Sequence, residues 1–502
     1  MGASNLPSRR ASSRLLRSGP FVVCIAIALG LGLPFQYWRT RSKSAHQIQA
    51  IVVLPLRNVS GDPEQQYFAD GMTEKLISDL GKISALRVIS RASSMSLRNS
   101  NNGFPEIARE LGIDDVVDGS VVREGNQIHI TAQLTDARTA RHMWRHDYVR
   151  NLASALDLQS EVAREIGEEV RVKLTPQEQA RLTLAQPIGP EAQELYLQGM
   201  YFLHRGGPDK DTVGYFEKAI EKAPSFTLAY AGLAASYNDL GQAGSLNYVE
   251  AYSKAKTAAT KAIELDSDLA EGHAAFAYSL VDLGWDWTAA GNEFRRALEL
   301  NPNSGPVHSC YALYLARLGR SSEAIAEAER GLQLDPISLG AHHQVAYCYY
   351  AARQYDRALE QIRKASELNL VPPDSWIHWT LGIIYRDKGN YEKAIEEFRI
   401  VADTPHFLGH LGNAYARAGQ VTEAGQTISK LENYVQQDGV GTYEVALVYA
   451  GLGDKDEAFG RLERSYEIHD TGLTYLKIDP CVDPLRSDPR FQTLLHRVGL
   501  AP

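Results

Sequence analysis

Four histidines stand at nearly equal intervals: His273, His308, His342 and His378 are separated by 35, 34 and 36 residues. Imidazoles in series could ligate a metal or sense pH. Intervals of this length instead place each histidine at the same point of its own copy of a repeated helical unit. Equivalent positions on stacked helices lie about 8–10 Å apart, whereas the ligands of one ion all approach to about 2 Å of it. The spacing therefore predicts a packing histidine in each copy and no metal site, with pH sensing as the alternative.

Other residues with chemical potential are sparse. Cys24, Cys310, Cys348 and Cys481 form no C-x-x-C pair and have no histidine at zinc-finger spacing, so unpaired thiols are expected. A Cys310–Cys348 disulfide is the alternative, disfavoured because the two lie about one turn out of register on neighbouring helices. No Walker loop, G-x-S-x-G, H-E-x-x-H or G-x-G-x-x-G occurs. The carboxylate-rich stretches 161–169 and 392–398 read as solvated helix faces with i,i+4 pairs. Gly61-Asp62-Pro63 and Asp70-Gly71 could line a pocket, but a turn and a helix entry explain them as well. No catalytic residue and no cofactor is expected.

The 502 residues suggest about three domains. With 44% hydrophobic and 23% charged residues, the bulk reads as folded and globular. The net charge is −9, but residues 1–44 hold seven basic side chains and no acid, which leaves −16 on the remainder. Such a body is a poor ligand for polyanions, and no nucleic-acid partner is expected. Phe21–Tyr37 carries no charge and as a helix spans about 25 Å. The one small-x-small pair, Ala26 and Ala28, lies inside this apolar core, so an uncleaved anchor is favoured over a signal peptide. Four basic residues precede the segment and three follow it, which points the N-terminus to the cytoplasm. The clusters Arg9-Arg10 and Arg14 to Arg17 could touch anionic lipid or simply set topology.

Beyond the anchor, apolar runs alternate with amphipathic helices. Residues 51–56, 86–91, 115–136 (two strands about Glu124-Gly125-Asn126) and 142–150 read as strands; 64–83, 105–113 and 156–174 read as helices. The runs VLPLRNVSGDPEQQYFADGMTEKL, LRVISRAS and ARELGIDDVVDGSVVREGNQIHITAQLTDA resemble the TolB amino-terminal-like or FlgO-like module of bacterial membrane proteins. That resemblance, which extends to CadC-type regulators, implies a module outside the cytoplasm. The 19 residues before the anchor cannot hold the winged-helix domain of those regulators, so any output is expected to pass through a partner chain.

From residue 189 a 34-residue period dominates: Pro302 to Pro336, Ala297 to Gly331, Ala324 to Ala358 and Ala424 to Ala458. Small residues recur where two helices cross closely. Gly382, Tyr385, Ala394 and Phe398, within WIHWTLGIIYRDKGNYEKAIEEFRIV, resemble the tetratricopeptide signature. Eight units are expected near 191–224, 227–267, 270–302, 305–336, 339–370, 375–405, 406–437 and 439–470, with a closing helix from the tail 483–502 over the last unit.

The expected fold is α+β overall: a basic cytoplasmic segment (1–19), a single N-terminal transmembrane helix (20–38), a linker (39–48), a small α/β module (49–150), a connecting helix (151–188), an all-α tetratricopeptide solenoid (189–478) and a capping helix (479–502). The resemblance implies an inner groove lined by the first helix of each repeat. Carried over position by position, it selects Tyr278, Arg317, His343, Tyr347, Tyr350, Trp376, Trp379, Arg386, Asn413, Arg417 and Tyr443. Aromatic and arginine side chains on a concave face suit the anchoring of a protein or peptide ligand. The expected function is a membrane-anchored scaffold of the bacterial inner membrane, its bulk periplasmic. A sensor subunit and an accessory factor of a cell-envelope machine are the alternatives.

Overall fold

Ala50–Val53 (β1) is buried along its whole length, as a strand covered on both faces must be. It pairs in parallel with Arg87–Val88 (β3) on one side and with Asp115–Glu124 (β4) on the other. Arg57–Asn58 (β2) adds a short parallel pairing to β4. A two-residue loop with Gly125 at φ +59° turns β4 into Gln127–Asp136 (β5), and Arg141–Asn151 (β6) closes the antiparallel half. The order is β3-β1-β4-β5-β6.

Helices Gln66–Gly81 (α1), Arg91–Ser96 (α2), Phe104–Leu111 (α3) and Ala155–Glu169 (α4) cover this sheet. Phe68, Met72, Leu76 and Leu80 of α1 and Leu158, Val162 and Ile166 of α4 pack on one face. Leu97, Ile107 and Leu111 pack on the other.

The computed structural model describes residues 50–100, 102–170, 174–182, 188–205, 210–242, 245–373, 375–401 and 404–501. The charge-free run Phe21–Tyr37 and Cys24 lie outside them. No helix among the described residues is long and apolar enough to cross a membrane.

Among the described residues, eight helix pairs follow the module. Repeat one pairs Pro190–Arg205 with Lys210–Lys222, repeat two Thr227–Gln242 with Tyr248–Leu265, and repeat three Ala270–Gly284 with Trp287–Leu300. Repeat four pairs Gly305–Arg317 with Ser321–Leu334, and repeat five Leu339–Ala351 with Tyr355–Glu367. Repeats six to eight pair Ile377–Asp387 with Tyr391–Val401, Pro405–Arg417 with Val421–Asp438, and Thr442–Leu452 with Lys455–Glu467.

The period has a packing cause. Ala324, Ala358, Ala394, Ala424 and Ala458 are fully buried where the second helix of each repeat meets its neighbours. A Cβ added at Gly382 would sit 2.5 Å from the Phe398 ring, so that crossing closes only on glycine.

Module and repeats share one core, in which Tyr196, Leu197, Phe216 and Phe226 join the α1–α4 side of the sheet. Polar ties extend the joint. Ser93 donates through its backbone N–H (2.8 Å) and its hydroxyl (2.5 Å) to Asp335, the Asn303 amide donates to the Gly81 carbonyl (3.0 Å), and the Ser78 hydroxyl donates to Glu271 (2.8 Å). The tail helix Pro489–Arg497 lies on repeat eight, with Arg497 on Glu463 (2.6 Å) and Arg490 on Asp456 (2.9 Å). Before that helix, residues 470–485 turn back along the first helices of the repeats.

Candidate functional site

The selected residues lie on or at the start of the first helices of successive repeats, and most of them meet partners from the same chain. Arg317 is buried; it donates to Asp282 (2.8 Å) and to the Tyr475 hydroxyl (2.5 Å), with its guanidinium 4.2 Å from the Tyr475 ring centre. Burial opposes its charge, but the adjacent Asp282 carboxylate more than restores it. Tyr278 stands apart, half-buried and held by Gln242 at 3.0 Å.

Arg386 is 0% exposed and grips Asp387 with two nitrogens, at 3.0 and 2.7 Å. It also donates to the Tyr350 hydroxyl (3.1 Å) and to Nδ1 of His410 (2.9 Å). Arg417 adds a second guanidinium to Asp387 at 2.6 Å. Burial alone would raise the Asp387 pKa, but the charges and hydrogen bonds around it hold it below the usual carboxylate range. His410 is driven well down by burial and then by Arg386, so its neutral ring accepts from that arginine.

Asn413 donates to the Leu447 carbonyl (2.7 Å), as Asn238 does to Ala275 (3.0 Å), tying one first helix to the next. Tyr443 is buried, its hydroxyl 3.0 Å from Asp479.

The aromatic members come together. Tyr347 stacks on Trp379 with ring centres 6.0 Å apart, and Tyr350 lies 5.8 Å from Tyr347. His343 meets Trp376 edge-on at 4.5 Å and Trp379 at 6.3 Å. Trp376 keeps 41% of its surface open. His406, half open to solvent, packs tilted against Trp379 with ring centres 5.1 Å apart and faces Glu444 at 3.6 Å. Burial pushes His343 down to about 4, so it is neutral near pH 7. Its Nε2 and the Trp379 Nε1 have no hydrogen-bond partner among the described residues.

The periodic histidines sit outside this cluster, each clasping the second helix of its own repeat. Nδ1 of His273, His308 and His378 meets Glu293 (2.5 Å), Glu327 (2.7 Å) and Glu397 (2.5 Å); His342 meets Gln361 (2.7 Å). Nε2 of His273, His308 and His342 meets the carbonyl six residues earlier, of Ser267, Pro302 and Pro336. Among the described residues no group of three or more His, Cys, Asp or Glu side chains could hold a metal ion. Cys310, Cys348 and Cys481 are free thiols, and burial pushes the first two up to about 11 and about 12.

Sequence reasoning missed further groups that meet side chains of these helices: Asp282, Asp387, His406, His410, Tyr475, Asp479 and Asp483. A usable signal was present after repeat eight. Leu473, Leu476, Ile478, Val482 and Leu485 keep the apolar content of a core segment without the period of a helix.

A family model described as tetratricopeptide repeat matches residues 346–406 and 380–438. With the eight helix pairs, this shows that the chain carries tetratricopeptide repeats in a mostly helical solenoid beside a small sheet module. Putative adenylate cyclase 3 of Rhizobium meliloti is 44% identical over 149 residues, 30% of this chain and 25% of that protein. Superkiller complex protein 3 of Mus musculus is 27% identical over 186 residues, 35% of this chain and 12% of that one. The chain thus spans a quarter or less of the length of these relatives. Among solved structures it is similar to the human IFIT1 dimer with m7Gppp-AAAA (TM-score 0.40, 18% identity, 63% of this chain and 78% of that one). It is also similar to PilW, a type IV pilus biogenesis factor (TM-score 0.35, 19% identity, 44% and 96%).

Proposed function

We propose that this chain is a membrane-anchored, non-catalytic scaffold that holds a segment of a partner protein against the inner face of repeats five to seven. One observation carries the reading. Trp376 is 41% exposed, and it stands with His343, Trp379 and half-open His406 in one aromatic cluster on a rigid helical array. Large rings with few rotors, left open beside buried ones, are what partner side chains anchor on. The catalytic-type residues nearby, Asp387, Arg386 and His410, are engaged with one another inside the chain.

The anchoring half of the proposal rests on the charge-free Phe21–Tyr37 run and its basic flanks. Together with the resemblance of residues 50–150 to the TolB amino-terminal-like or FlgO-like module, it supports a body outside the cytoplasm, at the bacterial inner membrane.

A second reading, a sensor subunit that signals through a partner chain, draws on the 149 residues shared at 44% identity with a protein named as a putative adenylate cyclase. The two readings separate by what the chain holds. The test is affinity capture of the detergent-extracted full-length protein, comparing wild type with Trp376→Ala and recording the melting curve of each. Loss of a captured envelope protein at a native melting temperature supports the scaffold, unchanged capture removes it, and capture of a signalling enzyme favours the sensor.

A further inference from the structure

The inner face already holds a ligand, supplied by the same chain. Residues 471–475 and 480–485 are two short 3-10 turns laid across the first helices. The Tyr475 hydroxyl meets Arg317, with the guanidinium over its ring. Asp479 accepts from the Tyr443 hydroxyl at 3.0 Å, and Asp483 accepts from Arg353 at 2.9 Å. An aromatic hydroxyl is thus followed, four and eight residues on, by carboxylates, and two of these three groups lie on arginines. All three are gripped by side chains 36 to 158 positions away in sequence. Any chain presenting the same side chains at the same spacing would meet the same partners.

The backbone that holds this segment is specialised. Where each first helix turns into its second, four repeats use glycine in the left-handed region: Gly319, Gly389, Gly419 and Gly453, at φ +76° to +81°. Two repeats use bulky residues there, Trp285 (φ +50°) and Arg353 (φ +61°). Left-handed backbone is costly for such residues. Both reach the returning chain: Trp285 stacks on His469 at 4.9 Å, and Arg353 pairs with Asp483. His469 is itself left-handed at φ +54°.

We infer that residues 475–483 are a built-in stand-in for the partner, and that the inner face accepts in trans a partner segment with the same pattern, an aromatic hydroxyl with carboxylates four and eight residues on. Such a segment competes with the chain's own and continues the open aromatic cluster at Tyr347, which Tyr475 touches edge-on at 6.5 Å. The inference rests on the scaffold reading and names the chemistry of its partner.

The test uses the full-length protein in detergent and a fluorescein-labelled peptide of residues 470–486, with a scrambled peptide as control. In the Tyr475→Ala/Asp483→Ala double variant the internal segment is loosened. The peptide is expected to bind this variant at least tenfold tighter than wild type, and the scrambled peptide not to bind. A folded double variant that ignores the peptide overturns the inference. Hydrogen exchange on the wild-type chain decides the case where the double variant fails to fold. Amides of 471–485 are expected to exchange at least tenfold faster than those of Ile377–Asp387, and equal protection makes the segment permanent core and overturns the inference. Partner capture that still depends on Trp376 while the peptide fails would reject this inference alone and leave the scaffold standing.

Discussion

Arg386 has no exposed surface, yet its charge is answered on every side by Asp387, Tyr350 and His410. Removing one partner of a buried pair strands the other, so Arg386→Glu, which sets a carboxylate against Asp387, is expected to cost about 3–5 kcal/mol in a thermal or urea melt. His343 gives a pH signature. Its pKa is near 6.5 in the unfolded chain and about 4 in the folded one, so the unfolded state takes up the proton first as pH falls. This contribution is whole above about pH 6.5 and declines toward pH 4, by about 1–3 kcal/mol after allowance for partial exposure. Between pH 7.5 and pH 5 the melting temperature of wild type should fall further than that of His343→Leu, which carries no titrating ring at this position. Residue type alone could not reveal these burials. An arginine on an inner face reads the same whether it meets water or, like Arg317, an aspartate 35 positions earlier.

At the scale of elements, the sequence carries most of the architecture because a repeat cannot hide its packing. The recurrence of Ala324 and Ala358 at 34 residues marks helix crossings, and both are fully buried. Ala358→Trp and Ala394→Trp are each expected to destabilise by about 1–3 kcal/mol through overpacking, with hydrogen-exchange protection lost mainly in the adjoining repeats. The returning segment stayed illegible for a physical reason. Residues 470–485 form 3-10 turns rather than a long helix, so their apolar positions follow the irregular inner face instead of a period. The periodic histidines illustrate the opposite case. Their spacing reports the repeat, and their carboxylate partners, 19 or 20 residues on, lie on the second helix of the same unit.

For the whole molecule, module and solenoid share one buried core, so the sheet is part of the solenoid's support and not a separate bead. In the proposed anchored scaffold the acidic body is tethered by one apolar stretch. Deleting residues 1–44 removes seven positive charges together with the charge-free run and leaves −16. The shortened protein is expected in the supernatant after high-speed centrifugation of lysed cells, and sedimentation with membranes would contradict the single anchor.

The central claim is that the open aromatic cluster on the inner face, and not the outer surface, is where a partner sits. Site-specific photo-crosslinking in intact membranes addresses it most directly, with a photoreactive phenylalanine at Trp376 and, as control, at Ile400, which is 49% exposed on a second helix. A discrete adduct is expected from position 376, competed by the partner's own segment, and none from position 400. Adducts of the same kind from both positions, or from position 400 alone, would contradict it.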